Sequence, residues 1–376
     1  VFFVLPNRTI LYESNPRGNQ RSDPHCRHPV RLLRYRAMAS EIASIMRSLQ
    51  RAAKTREKTM VRLLGAFVRC ESPSHNKPAV DRVGQLVAAE WRRRGAKVRF
   101  LRHRDRGDHV RAEIWPGTGR PNGQILVLGH LDTVYPLGTL AKMPFRVSGG
   151  RASGPGTFDM KAGLTIALAA IDALNVAGVR PRRKLVFFWN SDEEVGSGTS
   201  RSEIEREARR SDAVLVLEPA AGREGRLKTA RKGLGSAEII VTGRAAHAGI
   251  HPAAGINAVH ELALQIARLM KMNDPRRGIT LQATVIAGGT VSNVVPAHAR
   301  AEVDIRYARL ADAPKLDRKL HSLRPILKGA QIEVRGGINR PPLERTAAVQ
   351  ELFFHARSLM GAMGLPLGET STGGGS

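Results

Sequence analysis

Cysteine is nearly absent: Cys26 and Cys70 are the only two in 376 residues, and no CxxC pair occurs. A disulfide framework and a thiolate-held structural zinc are therefore excluded. Aromatic residues make up 5%, and none fall in the RNP-type pattern of an RNA-binding sheet. No run of about 18 apolar residues occurs, so the sequence predicts no membrane-spanning helix. The HExxH, GxSxG and GxxxxGK[ST] signatures are missing too, which removes zincin, serine-hydrolase and phosphate-loop readings. Acids are outnumbered by Lys and Arg, 33 against 60, for a formal charge of +27. Such a field attracts polyanions in principle, yet the basic residues are scattered, mostly Arg, with short clusters at 92–94 and 180–184. They read as solvated surface, and neither a nucleic-acid nor a membrane partner is expected. A reducing cytoplasm suits the composition, with the periplasm as the alternative.

What is present has ordinary globular proportions, 42% apolar and 25% charged, in a length that allows two cores. Residues 1–37 stand apart, with seven Arg against two acids and little periodicity. They are expected to be a non-native or disordered extension, because Met38 opens the first good helical pattern. Ile42, Ile45, Met46, Leu49, Val61, Leu64 and Val68 recur at helical spacing, and a second helix is expected over 80–94. Apolar runs at 97–101, 110–115, 124–129, 184–190 and 213–218, with helices at 160–177 and 200–210, predict an α/β fold. Its sheet is expected to be mainly parallel and covered by helices. From about 230 the alternation changes: strand 236–242, helix 255–272, strands 279–287 and 299–306, helix 311–323, strand 331–334. This predicts a small α/β sandwich, residues 230–336, inserted between a first domain segment at 38–229 and a second at 337–376.

In open α/β sheets ligands gather beyond the carboxyl ends of the strands. Those positions carry His130 and Asp132 after "QILVLG", Asp159 in "GPGTFDMKAG", Glu193 and Glu194 after "LVFFWNSD", and Glu218 closing "VLVLE". Alone, each has a bland reading: HxD as a turn, Glu-Glu as solvated surface, Glu218 as a cap. Together they do not, because converging carboxylates repel one another unless they share cations. Oxygen with imidazole suits Zn2+, with Co2+ or Mn2+ as substitutes, and a carboxylate shared between two ions is the usual device of two-metal hydrolases. His130 is then a ligand, with Asp132 accepting its second N–H and orienting the ring.

"GHLDTVYPLG", "ASGPGTFDMKAG", "NSDEEVGSGTSR", "GRAAHAG" and "GGTVSNVVPAHARAEVDIR" resemble the glutamate carboxypeptidase (carboxypeptidase G) branch of the zinc aminoacylase-type peptidases. Acetylornithine deacetylase and succinyl-diaminopimelate desuccinylase are relatives in the same family. The resemblance spans about Glu41 to Ser376. It implies a catalytic domain, an inserted lid domain through which members form homodimers, and two Zn2+ ions per complete subunit. His130 and Glu218 would bind one metal, Asp159 would bridge both, and Glu194 would bind the second. Glu193 would be the general base of an attack by metal-bound water. It also implies that His247 steadies the oxyanion in a neighbouring subunit's site. Asn293, Arg306 and the Gly373, Gly374 and Gly375 loop would hold substrate.

The implied activity is hydrolysis of the amide bond to a C-terminal amino acid, with glutamate the first choice. N-acyl-amino-acid deacylation and metal or substrate binding without turnover stand as alternatives. The family continues past the Gly loop to a last histidine ligand, whereas this sequence stops at Ser376. A fragment of a normal enzyme is expected, with a damaged product as the alternative.

Overall fold

A computed structural model describes residues 2–4, 29–115 and 119–374. The chain divides into two compact units, Val1–Leu227 with Ala347–Glu369, and Lys228–Thr346 with Thr370–Ser376.

The first unit contains β1 (Phe2–Val4), α1 (Pro29–Thr55), α2 (Glu57–Arg69), α3 (Lys77–Arg93), β2 (Lys97–Leu101), β3 (His109–Ile114) and β4 (Gln124–His130). It continues through α4 (Thr139–Lys142), the hairpin β5 (Arg146–Ser148) and β6 (Arg151–Ser153), α5 (Ala162–Val176), β7 (Lys184–Asn190), α6 (Arg201–Arg209) and β8 (Ala213–Val216). Helix α3 shows why its sequence folds as it does. Asn76 caps it by accepting the Ala79 N–H at 3.0 Å, Pro78 sits in its first turn, and Val80, Val83, Val87 and Trp91 form one buried stripe.

The six strands run in the order β1-β8-β4-β7-β3-β2. Only the centre is parallel, β8 and β7 each pairing with β4, while β1/β8, β3/β7 and β2/β3 are antiparallel. The α/β architecture with a separate smaller sheet domain is as expected, but the sheet is mixed rather than mainly parallel. The short 102–108 link between β2 and β3 cannot carry the crossover of a dozen or more residues that parallel pairing requires. One face is covered by α3 and α5, where Trp91 stacks on Phe187 at 4.0 Å between ring centroids. The other packs Leu126, Val186, Phe188 and Val214 against Ile204 and Ala208 of α6. Of the expected 1–37 extension, β1 and the start of α1 carry backbone structure; residues 1 and 5–28 lie outside the described residues.

The second unit holds β9 (Leu227–Arg231), β10 (Gly233–Thr242), α7 (Ala258–Met270), β11 (Thr280–Gly288), β12 (His298–Tyr307), α8 (Ala313–His321) and β13 (Gln331–Arg340). Its antiparallel sheet is ordered β11-β12-β10-β13. Ile239, Val241, Val303 and Ile305 alternate into a core shared with Leu262 and Leu269 of α7 and Leu316 and Leu320 of α8. The chain then re-enters the first unit as α9 (Ala347–Ala362), and β14 (Glu369–Thr372) pairs with β9. Among the described residues, no helix is long and apolar enough to cross a membrane.

Candidate metal centre

Parallel pairing in register sets His130 of β4 opposite Asn190 of β7, so the residues that follow both strands emerge at one sheet edge. The turn bearing Asp159, Thr157–Lys161, is pressed onto that edge by two glycines. A Cβ at Gly129 would lie 2.4 Å from the Met160 Cε, and one at Gly163 would lie 2.4 Å from the Leu217 carbonyl oxygen. With neither side chain present, Met160 slides beneath His130, whose backbone N–H donates to Met160 Sδ at 3.0 Å.

The strand ends meet. His130 Nε2 lies 3.1 Å from Asp159 Oδ1 and 3.6 Å from Glu218 Oε1. Candidate ligand atoms of His130, Asp159 and Glu194 lie within 4.8 Å of one another, as do those of His130, Glu193 and Glu218. His130 and Asp132 are buried, whereas the Asp159 side chain is half exposed. Burial alone would push the His130 imidazole down, but hydrogen bonding to Asp132 and Asp159 and the charges of Asp132 and Glu218 hold it well above its usual value. Burial, with the charges of Asp159, Glu193 and Asp132, pushes Glu194 up to about 7 against the opposing pull of His130. A site that tightens a proton on its one imidazole and on a carboxylate is short of positive charge. Its oxygen and nitrogen donors fit a divalent cation.

Asp132 does more than orient His130. Nδ1 of that ring lies 2.9 Å from the Asp132 backbone carbonyl and 3.4 Å from Oδ1. The carboxylate itself accepts from Ser74 Oγ at 2.7 Å and from the backbone N–H groups of Glu193 and Glu194, each at 3.2 Å. It thus ties the turn carrying both glutamates to the end of β4. Asp192 was not singled out from the sequence, yet it is buried and accepts from Thr199 N and Oγ1, both at 2.7 Å, from Ser200 Oγ at 2.6 Å and N at 3.2 Å, and from Asn190 Nδ2 at 3.2 Å. Burial raises its carboxyl, but these donors outweigh burial and hold it below the usual range. The signal was an Asp seven and eight residues before a Thr-Ser pair, too common to notice unaided.

The second unit brings some of its expected residues together and separates others. His247 and Asn293 are exposed on neighbouring loops, joined by Ala248 N donating to Asn293 O at 2.8 Å. Arg306 lies eight residues along β12 from His298, which pairs with Thr242 just ahead of the His247 loop. At about 3.4 Å per residue, the two ends are roughly 27 Å apart. There Arg306 forms a two-point ion pair with Asp304, at 2.8 Å from Nε to Oδ1 and from Nη2 to Oδ2. Gly373 and Gly374 follow β14, with the Gly374 carbonyl accepting from Arg231 Nε at 2.8 Å; Gly375 lies outside the described residues.

Fold and site together define an α/β chain with a separate sheet domain and a candidate metal centre at one edge of the first unit's sheet. Residues 110–255 match the family model described as peptidase family M28, and residues 229–327 match the peptidase dimerisation domain. Carboxypeptidase G2 of Pseudomonas sp. (strain RS-16) is 34% identical over 266 residues, covering 70% of this chain and 63% of that protein. Succinyl-diaminopimelate desuccinylase 2 of Shewanella loihica is 30% identical over 202 residues, covering 49% and 53%. The chain thus spans between about half and just under two thirds of these relatives' lengths. Among solved structures, aminopeptidase PepT from Bacillus cereus superposes with a TM-score of 0.68 at 20% identity, covering 84% of this chain and 85% of that one. The M20 family metallo-carboxypeptidase Sso-CP2 from Sulfolobus solfataricus gives 0.63 at 16%, covering 84% and 86%. The chain belongs to the M20 peptidase family.

Proposed function

We propose that this chain is the metal-binding core of a hydrolase that cleaves the amide bond to a C-terminal amino acid, with glutamate as the favoured residue and zinc as the metal. The observation that carries this reading is the convergence of His130, Asp159, Glu193, Glu194 and Glu218 at one sheet edge. The identity to a protein named carboxypeptidase G2 supports the substrate class. Relatives named desuccinylases favour a second reading, removal of an acyl group from an amino acid. Both break the same type of bond.

His130, Asp159, Glu194 and Glu218 would hold a pair of divalent ions, which supply Lewis acidity when bound. Glu193 accepts a proton from the attacking water and returns it to the leaving nitrogen. Asp132 keeps Glu193 and Glu194 in place through their backbone amides. His247 and Arg306 stand at opposite ends of one lid sheet, so a single second unit does not put both on one small substrate. Two copies would, one giving His247 and the other Arg306, and the match to a dimerisation domain supports a homodimer.

Equilibrium dialysis against Zn2+, followed by assays with an N-acyl-glutamate and with N-succinyl-diaminopimelate, tests the reading. Zinc binding with faster release of glutamate is the expected result. Preference for the succinyl substrate moves the assignment to the deacylase reading, and zinc binding without turnover leaves a binding protein. A chain that takes up no divalent ion ends the proposal.

A further inference from the structure

Behind the two glutamates lies a buried histidine that the proposed chemistry does not use. His109 opens β3 and is 3% exposed. Its Nδ1 receives the Ser191 backbone N–H at 3.3 Å and lies 3.0 Å from Ser191 Oγ, which donates to the Gly107 carbonyl. Its Nε2 lies 3.3 Å from Thr199 Oγ1, and that hydroxyl donates to Asp192 Oδ2 at 2.7 Å. Donor counting fixes the ring's state. A backbone N–H can only donate, so Nδ1 is an acceptor; Nε2 then carries the proton and gives it to Thr199. The imidazole is neutral, and burial, by holding its pKa below the usual value, agrees.

Ser191 and Thr199 are the two ends of the segment that carries Glu193 and Glu194. Between them the backbone turns through Gly196 at φ 98° and Ser197 at φ 58°, the latter a left-handed conformation that a serine adopts only when its surroundings impose it. We propose that His109 is a positioning residue: as a neutral bridge between Ser191 and Thr199 it closes this segment and sets the two glutamates for metal binding and proton transfer. The inference rests on the proposed metal-hydrolase reading, and it concerns a group that touches neither metal nor substrate.

The test compares wild type with His109→Leu, His109→Asn and Thr199→Val, measuring Co2+ affinity by dialysis, the visible spectrum of bound Co2+, kcat and KM. His109→Leu removes both arms, and a 10–100-fold loss of Co2+ affinity with an altered spectrum is expected, the range typical when a ligand's support is removed. kcat should fall while KM changes less than twofold. His109→Asn keeps an acceptor for the Ser191 N–H and should recover part of the loss; Thr199→Val should fall near it. A folded His109→Leu protein with wild-type Co2+ affinity, spectrum and kcat overturns the proposal. If that variant does not fold, wild-type values in both His109→Asn and Thr199→Val overturn it equally. Wild type that binds no Co2+ overturns the metal reading and this inference with it, whereas Co2+ bound equally by wild type and variants removes the inference alone.

Discussion

Glu193 and Glu194 are adjacent in sequence and differ in what surrounds them. Glu194 groups with His130 and Asp159, and Glu193 with His130 and Glu218. If Glu194 is a ligand and Glu193 the proton carrier, Glu193→Gln should keep the metal content of wild type and lower kcat by about 10²–10⁴-fold. Metal analysis beside steady-state kinetics checks this, and loss of an ion from the variant would show that the two roles are exchanged. Asp192 supplies a second residue-level expectation. Asp192→Asn turns an NH2 group toward donors that now meet a carboxylate, and the buried mismatch should cost roughly 2–4 kcal/mol in urea unfolding. The proposed ligands were legible in the sequence because His130, Glu194 and Glu218 follow apolar runs and Asp159 sits in a Gly-rich turn that opens a helix. Asp192 and His109 were not. His109 meets Ser191 from 82 residues away, and nothing local to "GDHV" distinguishes a clamp from an ordinary core histidine.

Whole elements were legible where apolar runs are long. "KLVFFWN" is β7 as read, Lys184–Asn190, since its last six residues, buried between helical layers, need no alternation. Strand direction was not, because an isolated run does not encode which neighbour it meets. β9 (LKTAR) and β14 (ETST) escaped notice for another reason: with few apolar side chains, both are held by backbone pairing. Likewise α7 looks like a plain amphipathic helix in sequence, yet its Glu261 is buried and caps the segment after α8. It accepts from the Ile326 N–H at 3.0 Å and from the Leu327 N–H and Gln265 Nε2, both at 2.6 Å. Burial raises its carboxyl, but these donors outweigh burial and hold it below the usual range. The carboxylate therefore contributes stability above the unfolded carboxyl pKa, and that contribution is lost as pH falls through the depressed folded value. Glu261→Gln should cost about 2–3 kcal/mol at neutral pH. It should also flatten the acid limb of the stability curve, as followed by denaturant melts from pH 7 to 3; an unchanged limb would assign the cap no electrostatic part.

At the scale of the molecule, the formal charge of +27 leaves basic groups in excess, and some arginines pair with acids inside the fold. Arg94 holds Asp172 and Glu90, and Arg111 holds Glu113 and Glu207. Acids are also gathered at the candidate metal centre, where Asp159, Glu193, Glu194 and Glu218 converge around His130. In the metal-free chain those carboxylates repel one another, so a bound divalent ion relieves that repulsion, and the relief enters the stability of the first unit through Kd. Mass action gives about 2.7 kcal/mol at a free-ion concentration 100 times Kd. For a unit of this size that corresponds to a rise in Tm of roughly 5–10 °C. Scanning calorimetry with zinc and then with a chelator should show that difference. Amide exchange should slow at residues 130–133, 157–161 and 191–199 while β10, β12 and α7 stay unchanged. A chelator-insensitive Tm, with exchange at those three segments equally indifferent to zinc, would mean that the acids at the sheet edge hold no cation and that His130 keeps its proton instead.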